Sequence, residues 1–298
     1  MRVMLVARRR VLALTAAVLV LAVTFAVAAG AASATPVNGS HKNGTYLALG
    51  DSVAFGYVPP NAVPAPNYLD PRSLVGYPEF LAQQLKMRVS NASCPGETST
   101  SMLVAGAPSN GCENEPGSPV GYRTAFPLHV AYQGTQMQYA VQYLAKQKHT
   151  RLVTIDIGAN DAFLCQETTA DQCTSMGELV GVAGQIAANL GTIFHQLRDV
   201  AGYQGPIVAL TYYSLSYTDP ASLQAAGFLN TVISSVTAAN GGIVADGFGA
   251  FQGPSDAAGG DPCAAGLLIK LPDGTCNIHP SPAGHKLLAA AIAQAIGA

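Results

Sequence analysis

Leu152-Val153-Thr154-Ile155-Asp156-Ile157, followed at once by Gly158-Ala159-Asn160-Asp161, is the stretch that decides the fold. Six residues rich in β-branched side chains, stopped by a glycine, form the clearest strand of the chain. Upstream, Tyr46-Leu47-Ala48-Leu49 is a short buried strand that stops at Gly50-Asp51-Ser52, and Arg88-Val89-Ser90-Asn91 runs as a strand into Cys94-Pro95-Gly96. A long proline-rich loop, Gly56 to Gly76, leads to a helix around Pro78 to Leu85, and Thr135 to Lys146 carries helical spacing at Met137, Val141 and Leu144. Downstream come a helix near Glu178 to Val200, a strand Pro206 to Leu210, a helix within Ser222 to Ala239, a strand Ile243-Val244-Ala245 and a closing helix, Pro282 to Ile296. Strands that alternate with helices predict an α/β fold, a parallel sheet of five strands with helices on both faces. With no repeat and no linker, residues 45–298 read as one domain.

Charge and composition narrow the classes of function. The 298 residues hold 15 basic and 17 acidic side chains, but Arg2 and Arg8 to Arg10 lie ahead of Thr35, where there is no acid. The remaining 264 residues therefore keep 11 basic and 17 acidic groups, a net charge of −6. No basic run survives there, which argues against nucleic acid or an anionic membrane surface as partner. The arginines, the apolar run Val11 to Ala29 and the small residues Ala32-Ser33-Ala34 have the layout of a signal peptide, residues 1–34, ahead of a flexible segment, 35–44. An uncleaved anchor is the competing reading, because the apolar run approaches the ~20 residues that span a bilayer. Cleavage would leave an exported protein without stable membrane insertion, expected to be secreted and monomeric. All six cysteines follow the leader, and an even number in an exported chain reads as a disulfide framework. Six cysteines allow 15 pairings and spacing does not choose among them. The simplest joins neighbours: Cys94–Cys112, Cys165–Cys173 and Cys263–Cys276. Zinc is disfavoured, since the chain lacks C-x-x-C and H-x-x-x-H.

In an open parallel sheet the working site lies beyond the carboxyl ends of the strands. The polar exits Gly50-Asp51-Ser52, Cys94-Pro95-Gly96 and Gly158-Ala159-Asn160-Asp161 therefore converge on one edge. Asn277-Ile278-His279-Pro280 lies just before the last helix, where a loop could bring His279 to that edge. A serine hydroxyl to attack, an imidazole to take its proton and amide donors to hold an oxyanion are what acyl transfer needs.

Tyr46-Leu47-Ala48-Leu49-Gly50-Asp51-Ser52, Gly96, Gly158-Ala159-Asn160-Asp161 and His279-Pro280 together resemble, in order, the four sequence blocks of the SGNH (GDSL) hydrolases. The resemblance spans Tyr46 to about Ile296. It implies a three-layer, flavodoxin-like fold and a serine carboxylic ester hydrolase, an esterase or lipase that works through an acyl-enzyme. It makes Ser52 the nucleophile and His279 the base, with an oxyanion hole from the Ser52 and Gly96 amides and the Asn160 side chain. The cysteine pattern is similar to the exported actinobacterial branch, whose three sequential disulfides match the simplest pairing. A carbohydrate O-deacetylase or lysophospholipase of the same fold is the alternative within the class, on a small-molecule or lipid ester. An inactive exported binding protein is the alternative outside it.

One position departs from the family pattern. An acid usually stands three residues before the histidine, and here Cys276 does, with Asn277 next to it and Asp273 the nearest acid. The expectation is a Ser52–His279 dyad oriented by a main-chain carbonyl near Cys276, with Asp273 as competitor. Asp51 and Asp161 read as structural acceptors, and His285, inside the last helix, as a surface or capping residue. His41, His129, His149 and His195 have no partner motif. Gly247-Phe248-Gly249 lacks a glycine at 252 and no helix is read after it, so no cofactor is expected. Ala54 breaks a G-x-S-x-G elbow, which disfavours the α/β-hydrolase fold. The Gly56 to Gly76 loop and the Cys94 to Cys112 loop are expected to line the acyl pocket.

Overall fold

The computed structural model describes residues 44–298, so the signal-peptide and flexible-segment assignments lie outside the described residues, Gly44 excepted. In chain order the elements are β1 (Thr45–Gly50), α1 (Ser52–Phe55), α2 (Tyr77–Leu85), β2 (Arg88–Asn91), α3 (Tyr122–Ala125), α4 (Gln136–Lys146), β3 (Thr150–Asp156), α5 (Ala159–Thr168) and α6 (Met176–His195). They continue with β4 (Ile207–Leu210), α7 (Pro220–Ala239), β5 (Ile243–Ala245), α8 (Gly247–Ala257), β6 (Leu268–Lys270), β7 (Cys276–Pro280) and α9 (Pro282–Ala295). Strands β1 to β5 form one sheet in the order β2-β1-β3-β4-β5, every pair parallel. That is the flavodoxin-like order, in which the strand order reverses between β1 and β3 and a crevice opens at their carboxyl ends.

Alternation along β1 shows why the sheet is covered twice. Tyr46 and Ala48 join a core with Tyr77 and Leu81 of α2, Phe251 of α8 and Leu288 and Ile292 of α9. Leu47 and Leu49 point the other way, into a core with Met137 and Leu144 of α4 and Leu190 and Phe194 of α6. Successive strand side chains face opposite sides, so a strand apolar at every position needs two helical layers. Each fully buried large side chain contributes about 1.5–3 kcal/mol.

Three elements correct the sequence reading. Residues 159–168 form α5, directly at the exit of β3, where no helix was read. Residues 247–257 form α8 despite three glycines and Pro254; Asp246 caps it by accepting from Gly249 N, and Phe251 is fully buried. His279 lies on β7 of an antiparallel hairpin with β6, not on a loop. The three disulfides join Cys94–Cys112, Cys165–Cys173 and Cys263–Cys276, the neighbouring pairs.

Candidate active site

Register places the site. Gly50 pairs with Asp156 at the carboxyl ends of β1 and β3, so Ser52 and Asn160 leave the sheet side by side. Gly50 has a φ of 147°, and a Cβ there would overlap the Asp156 main-chain carbonyl, so glycine is required for the chain to turn this close to its neighbour. The buried Gln136 amide grips the same exit from outside, with its Oε1 accepting from Gly50 N at 2.6 Å and its Nε2 donating to Gly50 O at 3.0 Å. Asp51 caps the single turn α1, accepting from Val53 N at 2.9 Å, and Gly56 ends it at a φ of 74°. Ser52 is thereby presented at the start of a turn, with its N–H free of any acceptor among the described residues.

Nε2 of His279 stands 2.8 Å from Ser52 Oγ. The Nδ1 partner corrects the expectation: it is the side chain of Asn277, with Oδ1 at 2.5 Å, and neither a main-chain carbonyl near Cys276 nor Asp273. The same Asn277 atom accepts from the His279 main-chain N–H at 3.1 Å, so it has to be the oxygen. Nδ1 therefore carries the ring proton, and the Nε2 lone pair faces the serine. Asp273 is exposed and spends its carboxylate on Thr275 N and Oγ1 within the hairpin turn. Burial, with no charged partner to offset it, pulls the His279 imidazole down to about 4. The ring of Tyr57 packs against it at 5.0 Å between centroids.

Gly96 turns the loop after β2 with a φ of 79°, and its N–H also has no acceptor among the described residues. Asn160, in the first turn of α5, is buried, with Nδ2 3.4 Å from Asp51 Oδ2 and Oδ1 accepting from Asn110 Nδ2 at 3.2 Å. Ser52, Gly96, Asn160 and His279 all line one cleft of about 970 Å³. Asp51 and Asp161 are acceptors, as expected. Asp51 takes the Tyr212 hydroxyl at 2.6 Å, and Asp161 takes the Ser99 N–H at 2.8 Å and hydroxyl at 2.6 Å. Burial lifts both carboxyls to about 6.

Other expectations fare differently. His285 is buried, not at the surface; its Nδ1 has no hydrogen-bond partner and burial lowers it to about 3. His129 bonds the Phe55 carbonyl, His195 pairs with Asp199 on the surface, and His41 lies outside the described residues. From the proline-rich loop only Tyr57 reaches the cleft, whose apolar wall comes from α5, α6 and α7 through Phe163, Leu179, Val182, Ile186, Ala226 and Leu229. Among the described residues no lysine or arginine lines it. Sequence reasoning missed Asn277 as acceptor, Tyr212, Gln136 and Asn110. Only Asn277, two places before the histidine, carried a local signal.

The model of the GDSL-like Lipase/Acylhydrolase family matches residues 48–287. No curated protein matches the chain. Among solved structures the chain is similar to the acetylxylan esterase Axe2 from Geobacillus stearothermophilus, at 18% identity and a TM-score of 0.54, with 87% of this chain and 97% of that one covered. It is also similar to a protein described as a GDSL-like lipase from Parabacteroides merdae, at 14% identity and a TM-score of 0.53, covering 86% and 96%.

Proposed function

The chain belongs to the GDSL-like lipase/acylhydrolase family and is a carboxylic ester hydrolase, and from that premise we propose that it hydrolyses esters with an extended apolar acyl chain through an acyl-enzyme on Ser52. The observation that carries the reading is the Ser52–His279 pair, oriented by Asn277, opening into a cleft of about 970 Å³ walled by apolar helices. Nε2 takes the Ser52 proton as Oγ attacks the ester carbon, and the developing oxyanion is held by the Ser52 and Gly96 N–H groups and Asn160 Nδ2. The imidazolium then returns its proton to the leaving alcohol as the C–O bond breaks. Water, deprotonated by the same Nε2, attacks the acyl-enzyme, and the imidazolium returns that proton to Ser52 Oγ as its C–O bond breaks and the acid leaves. With its imidazole near 4, His279 is neutral and ready as a base across the physiological range. Asn277 orients the ring but, being neutral, offers the imidazolium only a dipole.

The arginine-led leader and the three disulfides support an exported enzyme of the actinobacterial branch that the sequence resembles. The test is a panel of p-nitrophenyl esters from acetate to palmitate, with acetylated xylo-oligosaccharides beside it, run on wild type and Ser52→Ala. kcat/KM is expected to rise with acyl length beyond acetate, and Ser52→Ala to lose several orders of magnitude in rate. Best activity on the acetylated sugar would make the protein a carbohydrate deacetylase instead. No turnover of any ester in the wild type would leave a binding protein.

A further inference from the structure

The three donors assigned to the oxyanion come from three segments that the chain joins only at a distance: α1, the loop after β2, and α5. An oxyanion hole works because its donors are fixed before charge develops, so something must hold these segments in mutual register. Asn110 touches two of them. Its main-chain N–H donates to Gly96 O at 2.8 Å, and its carbonyl occupies the space that a Cβ at position 96 would fill. Its side-chain Nδ2 donates to Asn160 Oδ1 at 3.2 Å.

An asparagine amide fits its space almost equally well after a half-turn, and only its partners decide which end is the donor. At Asn160 both ends are specified. The end 3.4 Å from Asp51 Oδ2 has to be the NH₂, because a carboxylate accepts. The opposite end is then the carbonyl oxygen, and what meets it has to donate, which fixes the Asn110 amide as well. Cys94 and Cys112, each two residues outside Gly96 and Asn110, close the loop that makes this contact.

We propose that Asn110 is a positioning residue of the oxyanion hole, holding the Asn160 amide with its NH₂ toward the reacting carbonyl and locking the Gly96 loop to α5. The inference rests on the reading of Asn160 as an oxyanion donor. Asn110→Ala keeps the main-chain bond to Gly96 and removes only the side-chain hold. Asn110→Asp keeps the shape but turns an acceptor toward Asn160 Oδ1.

The experiment measures kcat and KM on a soluble ester for Asn110→Ala, Asn110→Asp, Asn160→Ala and the double variant Asn110→Ala/Asn160→Ala, each normalised by burst titration of active sites. Normalisation removes any misfolded fraction from the comparison. Asn160→Ala should lose roughly 10²–10³-fold in kcat, as removal of one preorganised donor does. Asn110→Ala should lose about tenfold or more at unchanged KM, Asn110→Asp at least as much, and the double variant no more than Asn160→Ala alone, because residues that act through one another are not additive. Losses that multiply in the double variant, a change confined to KM, or an Asn110→Asp kcat within about twofold of wild type would overturn the proposal. A harmless Asn160→Ala is a different failure: it removes Asn160 from the oxyanion hole, and the role of Asn110 with it.

Discussion

At the scale of single residues, His279, the proposed base, is oriented by a neutral partner two places away. Asn277 Oδ1 accepts from both the main-chain N–H and Nδ1 of His279, a local Asx-type turn that fixes the tautomer and the ring together. Asn277→Ala should therefore lower kcat roughly ten- to a hundredfold, the usual cost of losing a group that orients a working histidine. Asn277→Asp is the sharper test, because it adds a charge without moving the contact. A carboxylate beside the ring favours the imidazolium, so the His279 pKa has to rise from about 4. Following the His279 ring carbon signal by NMR from pH 3 to 8 reads this directly, and a titration that stays put would show that Asn277 does not contact the ring. The meeting of Ser52 and His279 was legible because their motifs sit at strand ends and beside a proline, where local sequence and position coincide. Asn277 was not, because the expected spacing of three pointed to Cys276 and drew attention to the backbone. His285 was misread because a histidine followed by lysine inside the last helix suggests the exposed face, whereas it lies among the buried residues of α9.

At the scale of elements, four of the five sheet strands were legible because each is a short apolar run closed by glycine or a polar residue; β2, Arg88-Val89-Ser90-Asn91, has only Val89 as an apolar residue. The elements that escaped are made by tertiary contact. In α8, Gly247 lies against the Thr211 carbonyl and Phe251 stacks on Tyr213 at 4.3 Å, so packing stabilises a helix whose composition disfavours it. The β6–β7 hairpin had a local signal that went unused: Pro272-Asp273-Gly274, a turn sequence directly after the largely apolar Leu267 to Leu271, with Gly274 at a φ of 90°. That hairpin carries His279 and is pinned by Cys263–Cys276, whereas Cys165–Cys173 closes the turn between α5 and α6 at the cleft wall. The two bridges should thus fail differently. A Cys263→Ala/Cys276→Ala variant is expected to lose about 2–4 kcal/mol of stability and to lose kcat on every ester. A Cys165→Ala/Cys173→Ala variant should keep kcat on acetate and raise KM chiefly for long acyl chains. Equal loss on acetate in both variants would detach the α5–α6 turn from acyl recognition.

At the scale of the whole molecule, the long helices beside the cleft hold almost no charge, while the carboxylates gather beneath the site. Helix α7 has no charged side chain, and Glu178 is the only acid of α6. By contrast Asp51, Glu79, Glu97, Asp156 and Asp161 are all pushed up by burial, Glu97 to about 7. They act as the joints of the fold. Glu97 accepts from the Gln136 amide that grips β1, and Asp161 accepts from Ser99, which Asn189 of α6 also holds. Buried acids carry a consequence for pH. In the unfolded chain they ionise near 4, whereas the folded protein still binds their protons above that. The stability they lend is complete below about 4 and is lost as pH rises through their folded values, up to about 7 for Glu97. His279 and His285 work in the opposite sense: lowered to about 4 and about 3, they cost stability as pH falls below the ordinary histidine value of about 6.5. Between pH 8 and 6 both sets titrate: unfolded histidines are mostly protonated by pH 6, and their cost offsets part of what the acids lend. Glu97 by itself adds a slope of known sign, raising the melting temperature at pH 6 relative to pH 8 by a few degrees if it contributes on the order of 1 kcal/mol. Glu97→Gln keeps a polar partner for Gln136 and Ser101 but cannot titrate, so it should flatten that slope. Calorimetric melts of both proteins across this range decide it, and a difference in melting temperature between wild type and Glu97→Gln that stays the same from pH 8 to pH 6 would mean that the fold does not raise the Glu97 carboxyl.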